Sequence, residues 1–316
     1  MVTTGEFHFM TPESEASLYR NGKVLMHRDA RGSTAGSQGV TLTGHSLSVA
    51  DARNLAIPPT CETNGFELVQ RPVEQSVDFL DHQNVVQSYY PQCAALVAEK
   101  TGGRAFAFDH NIRSASGKAD GAAVKGGQEV QGPAHVVHGD YTLRSAPDRL
   151  EQLAHPPSGN DTLRNYLPAG SSFLSAADIR AAETGRFAII NVWRNIDTAP
   201  VATHPLAFCD AQTVQPENLV VFEIHYADRV GENYFAKFAE QQRLYYFPAL
   251  TRDEAVLIKQ WDSAGPLARS GGALADATDP AAPCTFSFHS AFEPERQHPD
   301  APDRWSIEVR CVVIYG

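Results

Sequence analysis

The sequence predicts a mainly β protein, folded as a curved antiparallel sandwich or barrel with helices packed outside it. Three observations favour this fold class. The second half of the chain is a series of strand-like apolar runs, helical patterns are few, and strands do not alternate with helices as a doubly wound parallel sheet requires. With 316 residues the chain can bury a large core. We therefore expect one domain over residues 1–316.

Residues 1–100 are expected to form an N-terminal extension with helices, which precedes a β core over residues 104–316. Within the extension, the segment VTLTGHSLSVADAR suggests one or two strands. In the later segment VVQSYYPQCAALVAEKT the apolar residues recur near the helical period, and Gly102-Gly103 after it is a usual helix stop. Pro91 in this segment indicates a break or a first-turn position.

The core is expected to begin with the strand RAFAFDHNIRS. Residues 114–133 follow this strand, are rich in glycine, alanine and lysine, and show no periodicity. A long loop inside a domain often covers a site, although a surface excursion explains the composition equally well. The segment contains neither of the glycine patterns that are typical of nucleotide-binding loops.

Two helices and five further strands are expected after this loop. The helices are predicted from capping-box patterns, in which a Ser or Thr is followed three residues later by an acidic residue. The patterns and their helices are Ser175 with Asp178 for 176–184, ending at Gly185, and Thr251 with Glu254 for 252–262. The predicted strands are RFAIINVWRN, ENLVVFEIHYA, RLYYFPAL, CTFSFHSAF and RWSIEVRCVVIY.

Composition and charge exclude several classes of function. The net charge of −11, with no run rich in Lys or Arg, argues against nucleic acid binding. No apolar run reaches the length of a membrane span, and the start MVTTGEFHFM lacks the pattern of a signal peptide. The five scattered cysteines include no CxxC, which argues against disulfides and a thiolate zinc site. We expect a cytoplasmic protein, and a homodimer is among the open oligomeric states.

His138 and Asp140 form the most informative motif, because they lie two residues apart in the strand-like run HVVHGDYT. Side chains at i and i+2 of a strand share one face, so the two groups are expected to lie side by side. The pair is compatible with a metal site, a simple hydrogen bond or chance, since two other His-x-Asp triplets begin at His27 and His298. His135 faces the other side of the strand and is expected to be structural.

A mononuclear iron site of the two-histidine, one-carboxylate type needs a second histidine from another strand. His204 precedes a proline in a turn and is a weak candidate, whereas His225 and His289 both lie in plausible strands. Arg304 and Ser306 follow His289 at the head of the last strand, where they share one face and could bind a carboxylate. No such pair follows His225, which favours His289.

These motifs resemble the iron(II)/2-oxoglutarate-dependent oxygenase family of fungal gibberellin desaturase, fungal asnovolin oxygenase and the actinomycete cephamycin 7-hydroxylation component. The resemblance covers roughly residues 60–316, with Ser290 in place of the usual Thr. The matching stretches are Gly65-Phe66-Glu67-Leu68, Phe108-Asp109-His110 with Arg113, His138 to Thr142, Asn191-Val192-Trp193-Arg194, Pro205-Leu206-Ala207 with Cys209-Asp210, Trp261-Asp262-Ser263, His289-Ser290-Ala291-Phe292, and Arg304 to Arg310.

The resemblance implies a double-stranded β-helix core of the jelly-roll or cupin type, with Fe(II), 2-oxoglutarate and O₂ as cofactor and cosubstrates. It implies that His138, Asp140 and His289 are the catalytic metal ligands. Further binding residues are expected around them. For 2-oxoglutarate these are Arg304 and Ser306, with Arg310 and Arg194 as further candidates that could equally be ion-pair partners, and for the substrate His110, Tyr141 and Trp193.

The expected reaction is oxidation of an unactivated C–H bond in a small natural product or amino-acid-derived molecule, by hydroxylation, desaturation or cyclisation, with release of succinate and CO₂. Halogenation is not expected, because Asp140 fills the position that chloride would need. No methyl-donor motif is present, so a methyltransferase is not expected. Two rival classes remain: a non-catalytic metal-binding barrel such as a sensor, which would not need Arg304 and Ser306, and a non-oxidative metal-dependent hydrolase or isomerase.

Overall fold

Two β-sheets form the framework of the protein, one of eleven strands and one of five. The mainly β class predicted from the sequence is confirmed. A computed structural model describes residues 2–28, 34–159, 161–226, 229–272, 281–295 and 300–316. Asp29 and His298, which belong to the two other His-x-Asp triplets, lie outside the described residues.

The strands are numbered along the chain. In spatial order, the larger sheet consists of β15 (Glu293–Pro294), β1 (Val2–Met10), β4 (Leu42–Asp51), β12 (Leu244–Tyr246), β9 (Leu206–Cys209), β14 (His289–Ala291), β7 (His138–Gly139), β11 (Val230–Ala236), β10 (Leu219–His225), β2 (Leu25–Arg28) and β3 (Thr34–Gln38). The smaller sheet consists of β5 (Phe66–Gln70), β13 (Glu254–Asp262), β8 (Phe187–Asn195), β16 (Ser306–Ile314) and β6 (Arg104–Arg113).

The helices are short. They are α1 (His82–Asn84), α2 (Tyr90–Thr101), α3 (Ala115–Ala119), α4 (Ser145–Leu153), α5 (Ala176–Thr184) and α6 (Pro266–Arg269), with a π turn at Val85–Tyr89 and 3₁₀ turns at Ala52–Asn54, Ala211–Thr213 and Pro216–Asn218. Within the described ranges, no helix combines the length and apolar character that a membrane crossing requires.

Strand pairing in the larger sheet brings distant parts of the chain together. β7 pairs with β14 in a register that sets His138 directly opposite His289. On its other side β14 pairs with β9, opposite Phe208. The run around His138 is shorter than predicted, since only two residues form β7 and Val136 makes an isolated bridge to β1.

In the smaller sheet, β16 lies between β8 and β6. Directly paired residues of antiparallel strands share a face of the sheet. Glu308 is paired with Trp193, and Arg310 with Asn191 and Asp109, so these five side chains lie on one face. The fully buried residues of β8 and β13 show that both faces of this sheet are covered.

Two predicted helices are found where the sequence places them. α2 has a proline in its first turn and ends at Gly102, whose φ of 70° is the left-handed conformation that glycine adopts without strain. α5 begins with the capping box of Ser175 and Asp178 and ends at Gly185. The five later runs predicted as strands contain β8, β10, β12, β14 and β16.

The helix predicted over 252–262 is wrong, because these residues form the strand β13. The capping pattern itself exists, since Thr251 donates from its backbone N–H to Glu254 at 2.9 Å. The cap, however, closes only a turn before the strand. All nine residues of β13 are buried, and the strand lies between β5 and β8. A helix here would need a polar face, and burial on both sides outweighs the local cap.

Two other segments differ in part from their predictions. Residues 114–133 contain α3, capped by Ser114, and isolated bridges at Lys125, Glu129 and Gln131, so they are more ordered than a structureless loop. From the first hundred residues, β1 and β4 extend the larger sheet and β5 is an edge strand of the smaller one.

Candidate metal centre

Three candidate metal ligands, His138, Asp140 and His289, converge between the sheets. Their ligand atoms all lie within 4.8 Å of one another. His138 Nε2 is 3.6 Å from Asp140 Oδ1, and the two imidazole rings lie 4.4 Å apart between their centres. The Nδ1 of His138 is 2.7 Å from the Val136 carbonyl, to which it donates, so the lone pair is on the Nε2 that faces Asp140.

The charge state of this group matches that of a site for a divalent metal ion. Burial, assisted by the neighbouring imidazole of His289, lowers the pKa of His138 to about 4. Burial also lowers the pKa of His289. Although burial acts to raise it, Arg310 and the two imidazoles hold the pKa of Asp140 below its ordinary value. Two neutral imidazoles and one carboxylate are thus ready to bind iron(II), so the residues fit this metal.

The smaller sheet supplies the groups that hold the Asp140 carboxylate. Asn191 Nδ2 donates to Asp140 Oδ2 at 2.9 Å and to Glu308 Oε1 at 2.7 Å. Arg310 Nε lies 3.4 Å from Asp140 Oδ2, and its Nη1 pairs with Asp109 at 3.0 Å. These contacts fix the carboxylate from the side opposite the imidazoles.

A cavity opens onto the three candidate ligands. The other residues that line it are Arg113, Ala134, Trp193, Leu206, Arg304 and Glu308. Arg304 is buried and Arg113 half-buried, and neither forms an ion pair with any residue that the structure describes. Burial and the nearby Arg113 lower the pKa of Arg304, which means that its positive charge is poorly compensated. An anionic ligand would supply the missing charge.

Arg304 is held at the cavity wall by its neighbours. Its Nη1 donates to the carbonyl of His204, and its guanidinium lies 5.8 Å from the centre of the Trp193 ring. Its Nε has no hydrogen-bond partner among the described residues. Ser306 of β16 is buried and pairs with Arg113 of β6, so these two side chains lie on the same face of the smaller sheet.

Other residues predicted for the site lie elsewhere. Arg194 and His110 pair with Ile307 and Val309, on the face of the smaller sheet that is turned away from the cavity. There Arg194 donates to the Tyr89 hydroxyl and to a backbone carbonyl. The distance between His110 Nδ1 and the Tyr90 hydroxyl oxygen is 2.8 Å, a hydrogen bond. The structure therefore does not bring these two residues into the site, contrary to expectation.

Of the remaining predicted residues, one lines the cavity and the others lie outside its wall. Trp193 lines the cavity, whereas Tyr141 is buried in the main core near Arg310 and is absent from the cavity wall. Arg310 lies on the site face but already contacts carboxylates. His225, the alternative third ligand, pairs with Glu223 at 2.8 Å, away from the metal ligands.

Sequence reasoning missed the roles of three site residues, Arg113, Asn191 and Glu308. All three lie within motifs that carried the family resemblance, but nothing local distinguishes them from ordinary strand residues. Only the pairing of β6, β8 and β16 shows that they share a face with Arg310.

Comparison with known proteins gives relatives along the whole chain. A protein from Methylophilus leisingeri, described only as an uncharacterised protein in the dcmA 3′ region, is 41% identical over 196 residues, which cover 61% of this chain and 90% of the relative. The Fe(II)/2-oxoglutarate-dependent dioxygenase NvfI of Aspergillus novofumigatus is 29% identical, covering 87% of this chain and 84% of its own length.

The solved structure of the iron and α-ketoglutarate-dependent endoperoxidase NvfI superimposes with a TM-score of 0.73 at 24% identity, covering 100% of this chain and 98% of the other. This likeness shows the jelly-roll fold that was expected. The family model described as "Oxidoreductase/YMDC permease-like domain" matches residues 7–314. The chain belongs to this family and, with its relatives, to the iron(II)/2-oxoglutarate-dependent oxygenases.

Proposed function

We propose that this oxygenase oxidises an unactivated C–H bond of a small natural product or amino-acid-derived molecule. Its cofactor and cosubstrates are those of its class, Fe(II), 2-oxoglutarate and O₂. When bound, iron(II) and 2-oxoglutarate would activate O₂, which is the oxidant for the C–H bond, and succinate and CO₂ would be released. One observation carries the proposal: the buried His/Asp/His group opens onto a cavity whose Arg304 forms no ion pair among the described residues.

In this proposal His138 and His289 each present an imidazole nitrogen to the iron, and Asp140 presents a carboxylate oxygen. Three ligands from one side leave the opposite positions open for the cosubstrates. Asn191 and Arg310 keep the Asp140 carboxylate ionised and oriented, as their contacts of 2.9 Å and 3.4 Å support. Positioning, rather than cosubstrate binding, is therefore the proposed role of Arg310.

Arg304 is the proposed anchor for the distal carboxylate of 2-oxoglutarate, with Ser306 and Arg113 beside it. The guanidinium is buried at the cavity wall, where a charge-assisted bond to a carboxylate is strong because water is excluded. Arg194 is not proposed for this role, because its guanidinium lies on the other face of the sheet.

The substrate class is proposed from the relatives. They include proteins named hydroxylase/desaturase in Penicillium oxalicum and Hormonema carpetanum, and an aspirochlorine biosynthesis protein in Aspergillus oryzae. Hydroxylation and desaturation are accordingly the favoured outcomes, with cyclisation as a third. Trp193 and Leu206 supply apolar surface to the cavity wall, beside the polar groups that also line it.

We also propose that residues 1–316 act as one oxygenase domain, since strands from the first hundred residues pair into both sheets. The five cysteines are free, which supports a reducing compartment such as the cytoplasm.

The test is anaerobic binding of Fe(II) and 2-oxoglutarate to metal-free protein, followed through the weak visible charge-transfer band of the chelate. The wild-type protein should form the band, and His289→Ala should abolish it. His225→Ala is the matched control, since that histidine pairs with Glu223 outside the site, and it should keep the band.

The band decides between the oxygenase and its rivals. Iron binding without a 2-oxoglutarate band in the wild-type protein would mean that the cosubstrate site is missing, and would favour a metal-binding sensor or a non-oxidative metal enzyme. Loss of the band in His225→Ala but not in His289→Ala would overturn the ligand assignment. If the band behaves as expected, succinate release provides the screen for substrates.

A further inference from the structure

A second group of metal-ligand side chains lies outside the proposed iron site. It consists of His135, His204 and Glu293, whose ligand atoms all lie within 4.8 Å of one another, as those of the first group do. The two imidazole rings are 5.1 Å apart between their centres and nearly perpendicular. Among the described residues these are the two groups of this kind, and the catalytic proposal does not use the second one.

Three separate segments of the chain supply these side chains. His135 precedes β7, His204 lies in the connection before β9, and Glu293 begins β15, next to β1. The segments are joined by backbone hydrogen bonds, since Ala291 N–H donates to the Ala134 carbonyl at 2.8 Å. The convergence is therefore fixed by the sheet rather than by flexible side chains alone.

His204 is held in an unusual conformation. Its φ is 43°, in the left-handed region that residues other than glycine rarely adopt. Its Nδ1 is shielded from solvent and has no hydrogen-bond partner among the described residues. An imidazole that lies beside a second histidine and has an unsatisfied ring nitrogen is consistent with a missing ligand.

The chemistry of the group is that of a zinc ligand set. Burial lowers the pKa of both His135 and His204, and the nearby guanidinium of Arg304 contributes to each, so the imidazoles are neutral at pH 7. Glu293 supplies a carboxylate and offsets the repulsion of Arg304. Two histidines and one glutamate bind zinc with a fourth position left for water. Tetrahedral zinc needs neighbouring ligand atoms about 3.4 Å apart, so small side-chain movements suffice.

We propose that His135, His204 and Glu293 bind a second divalent transition metal ion, for which zinc is the best match, beside the catalytic cavity. The proposed ligands lie close, along the chain or through a hydrogen bond, to residues that line this cavity. His135 is three residues before His138, Glu293 is four residues after His289, and the carbonyl of His204 accepts a hydrogen bond from Arg304. Bound zinc ties these three segments together from outside the oxygen-activating centre.

The experiment counts bound zinc in the full-length protein. Metal-free protein is saturated with zinc sulfate, desalted, and analysed for zinc per chain by atomic emission. The wild-type protein should retain two equivalents, one at each group. His135→Gln, His204→Asn and Glu293→Gln should each retain one, while His155→Gln, at an exposed histidine outside both groups, should retain two. Asparagine is chosen at 204 because it tolerates the left-handed conformation.

Two controls identify which equivalent is lost. His289→Ala should also retain one equivalent, and the double variant His289→Ala/His135→Gln should retain none. Circular dichroism verifies that each variant is folded, and a misfolded variant leaves the decision to the other two. The proposal is overturned if the folded variants of this group retain as much zinc as the wild-type protein. The zinc count is independent of oxygenase activity, so it stands or fails separately from the proposed function.

Discussion

Three arginines of the smaller sheet and the segment before β16 differ in what their guanidinium groups already contact. Arg310 is paired with Asp109 and Asp140, and Arg194 with Tyr89 and a backbone carbonyl on the other face of the sheet. Arg304 has no carboxylate partner within ion-pair distance among the described residues, and its Nε is unsatisfied. Because an unpaired buried charge is costly, Arg304 is the residue that gains most from an anionic ligand.

Arg304→Gln is expected to weaken 2-oxoglutarate binding by about 10- to 100-fold, the loss typical of a buried charge-assisted hydrogen bond. Titration of the anaerobic iron complex with 2-oxoglutarate measures this affinity. Arg194→Gln is the control and should leave the affinity nearly unchanged, because Arg194 faces away from the cavity. The opposite pattern, with Arg194→Gln weakening binding and Arg304→Gln not, would reverse the assignment.

Asn191 connects the two carboxylates of the site, since its amide donates to both Asp140 and Glu308. Asn191→Ala is expected to lower iron(II) affinity by about 10- to 100-fold, because groups that orient a metal ligand typically contribute this much. Asn195→Ala is a matched control on the same strand, where the amide binds the backbone carbonyls of Ala199 and Leu250. It should reduce stability but leave iron affinity intact, and equal losses of affinity in the two variants would contradict the role of Asn191.

At the level of strands and helices, local signals predicted elements only where tertiary structure did not oppose them. α5 has its cap, its glycine stop and exposed positions for its polar residues, so the local pattern was sufficient. The cap of Thr251 and Glu254 was equally clear, but β13 is buried on both faces between two neighbours. The local sequence of residues 252–262 does not indicate these neighbouring strands. Pairing with them made the segment a strand rather than a helix.

The same limit explains which parts of the site the sequence revealed. His138 and Asp140 are two residues apart, and Arg304 with Ser306 likewise, so their common faces followed from strand geometry. Asn191 meets Asp140 only because the smaller sheet packs against the larger one. Arg194, next to Trp193, was expected near the cavity, yet a shift of one residue along a strand turns a side chain to the opposite face.

At Gly65 the backbone just before β5 lies close to Ser287, in the segment before β14. The φ of this glycine is 85°, and an added Cβ would lie 2.6 Å from the Cβ of Ser287. Gly65→Ala is therefore expected to reduce the free energy of unfolding by about 2–5 kcal/mol, from backbone strain and overpacking together. Gly121→Ala separates the two causes, since its φ is 67° but nothing lies within 4 Å of an added Cβ. A cost of about 1 kcal/mol is expected there.

Urea unfolding followed by circular dichroism measures both free energies. Equal destabilisation by the two substitutions would show that the contact with Ser287 relaxes at no cost, and that strain alone accounts for the effect.

At the scale of the whole molecule, the two sheets contribute different parts of one site. The larger sheet places His138 opposite His289, whereas the smaller sheet brings Asn191, Glu308 and Arg310 against Asp140. The metal centre therefore depends on how the sheets pack, and global stability is a condition for iron binding. Protonation of buried groups away from the ligands also changes that stability, and His110 is one such group.

His110 lies outside the site, with Tyr90 OH at 2.8 Å from its Nδ1 and the ring of His82 stacked 5.2 Å away. Burial lowers its pKa from 6.5 to about 4, against the opposing charge of Asp109 and with contributions from His82 and Arg310. The unfolded chain therefore binds more protons than the folded protein between these values, and stability falls as the pH falls from about 6.5 towards 4.

In that pH interval the contribution of His110 amounts to about 3 kcal/mol, from the free energy that corresponds to such a change in pKa. His110→Gln, which cannot be protonated, is expected to unfold with a weaker pH dependence than the wild-type protein, even if its stability at pH 7 is lower. Urea unfolding of metal-free protein at a series of pH values between 7 and 4 gives the two slopes, and the difference between them removes the contributions of the other histidines. His155→Gln, at an exposed site, should keep the wild-type slope. Identical slopes for His110→Gln and the wild-type protein would mean that His110 is protonated as readily in the folded protein as in the unfolded chain.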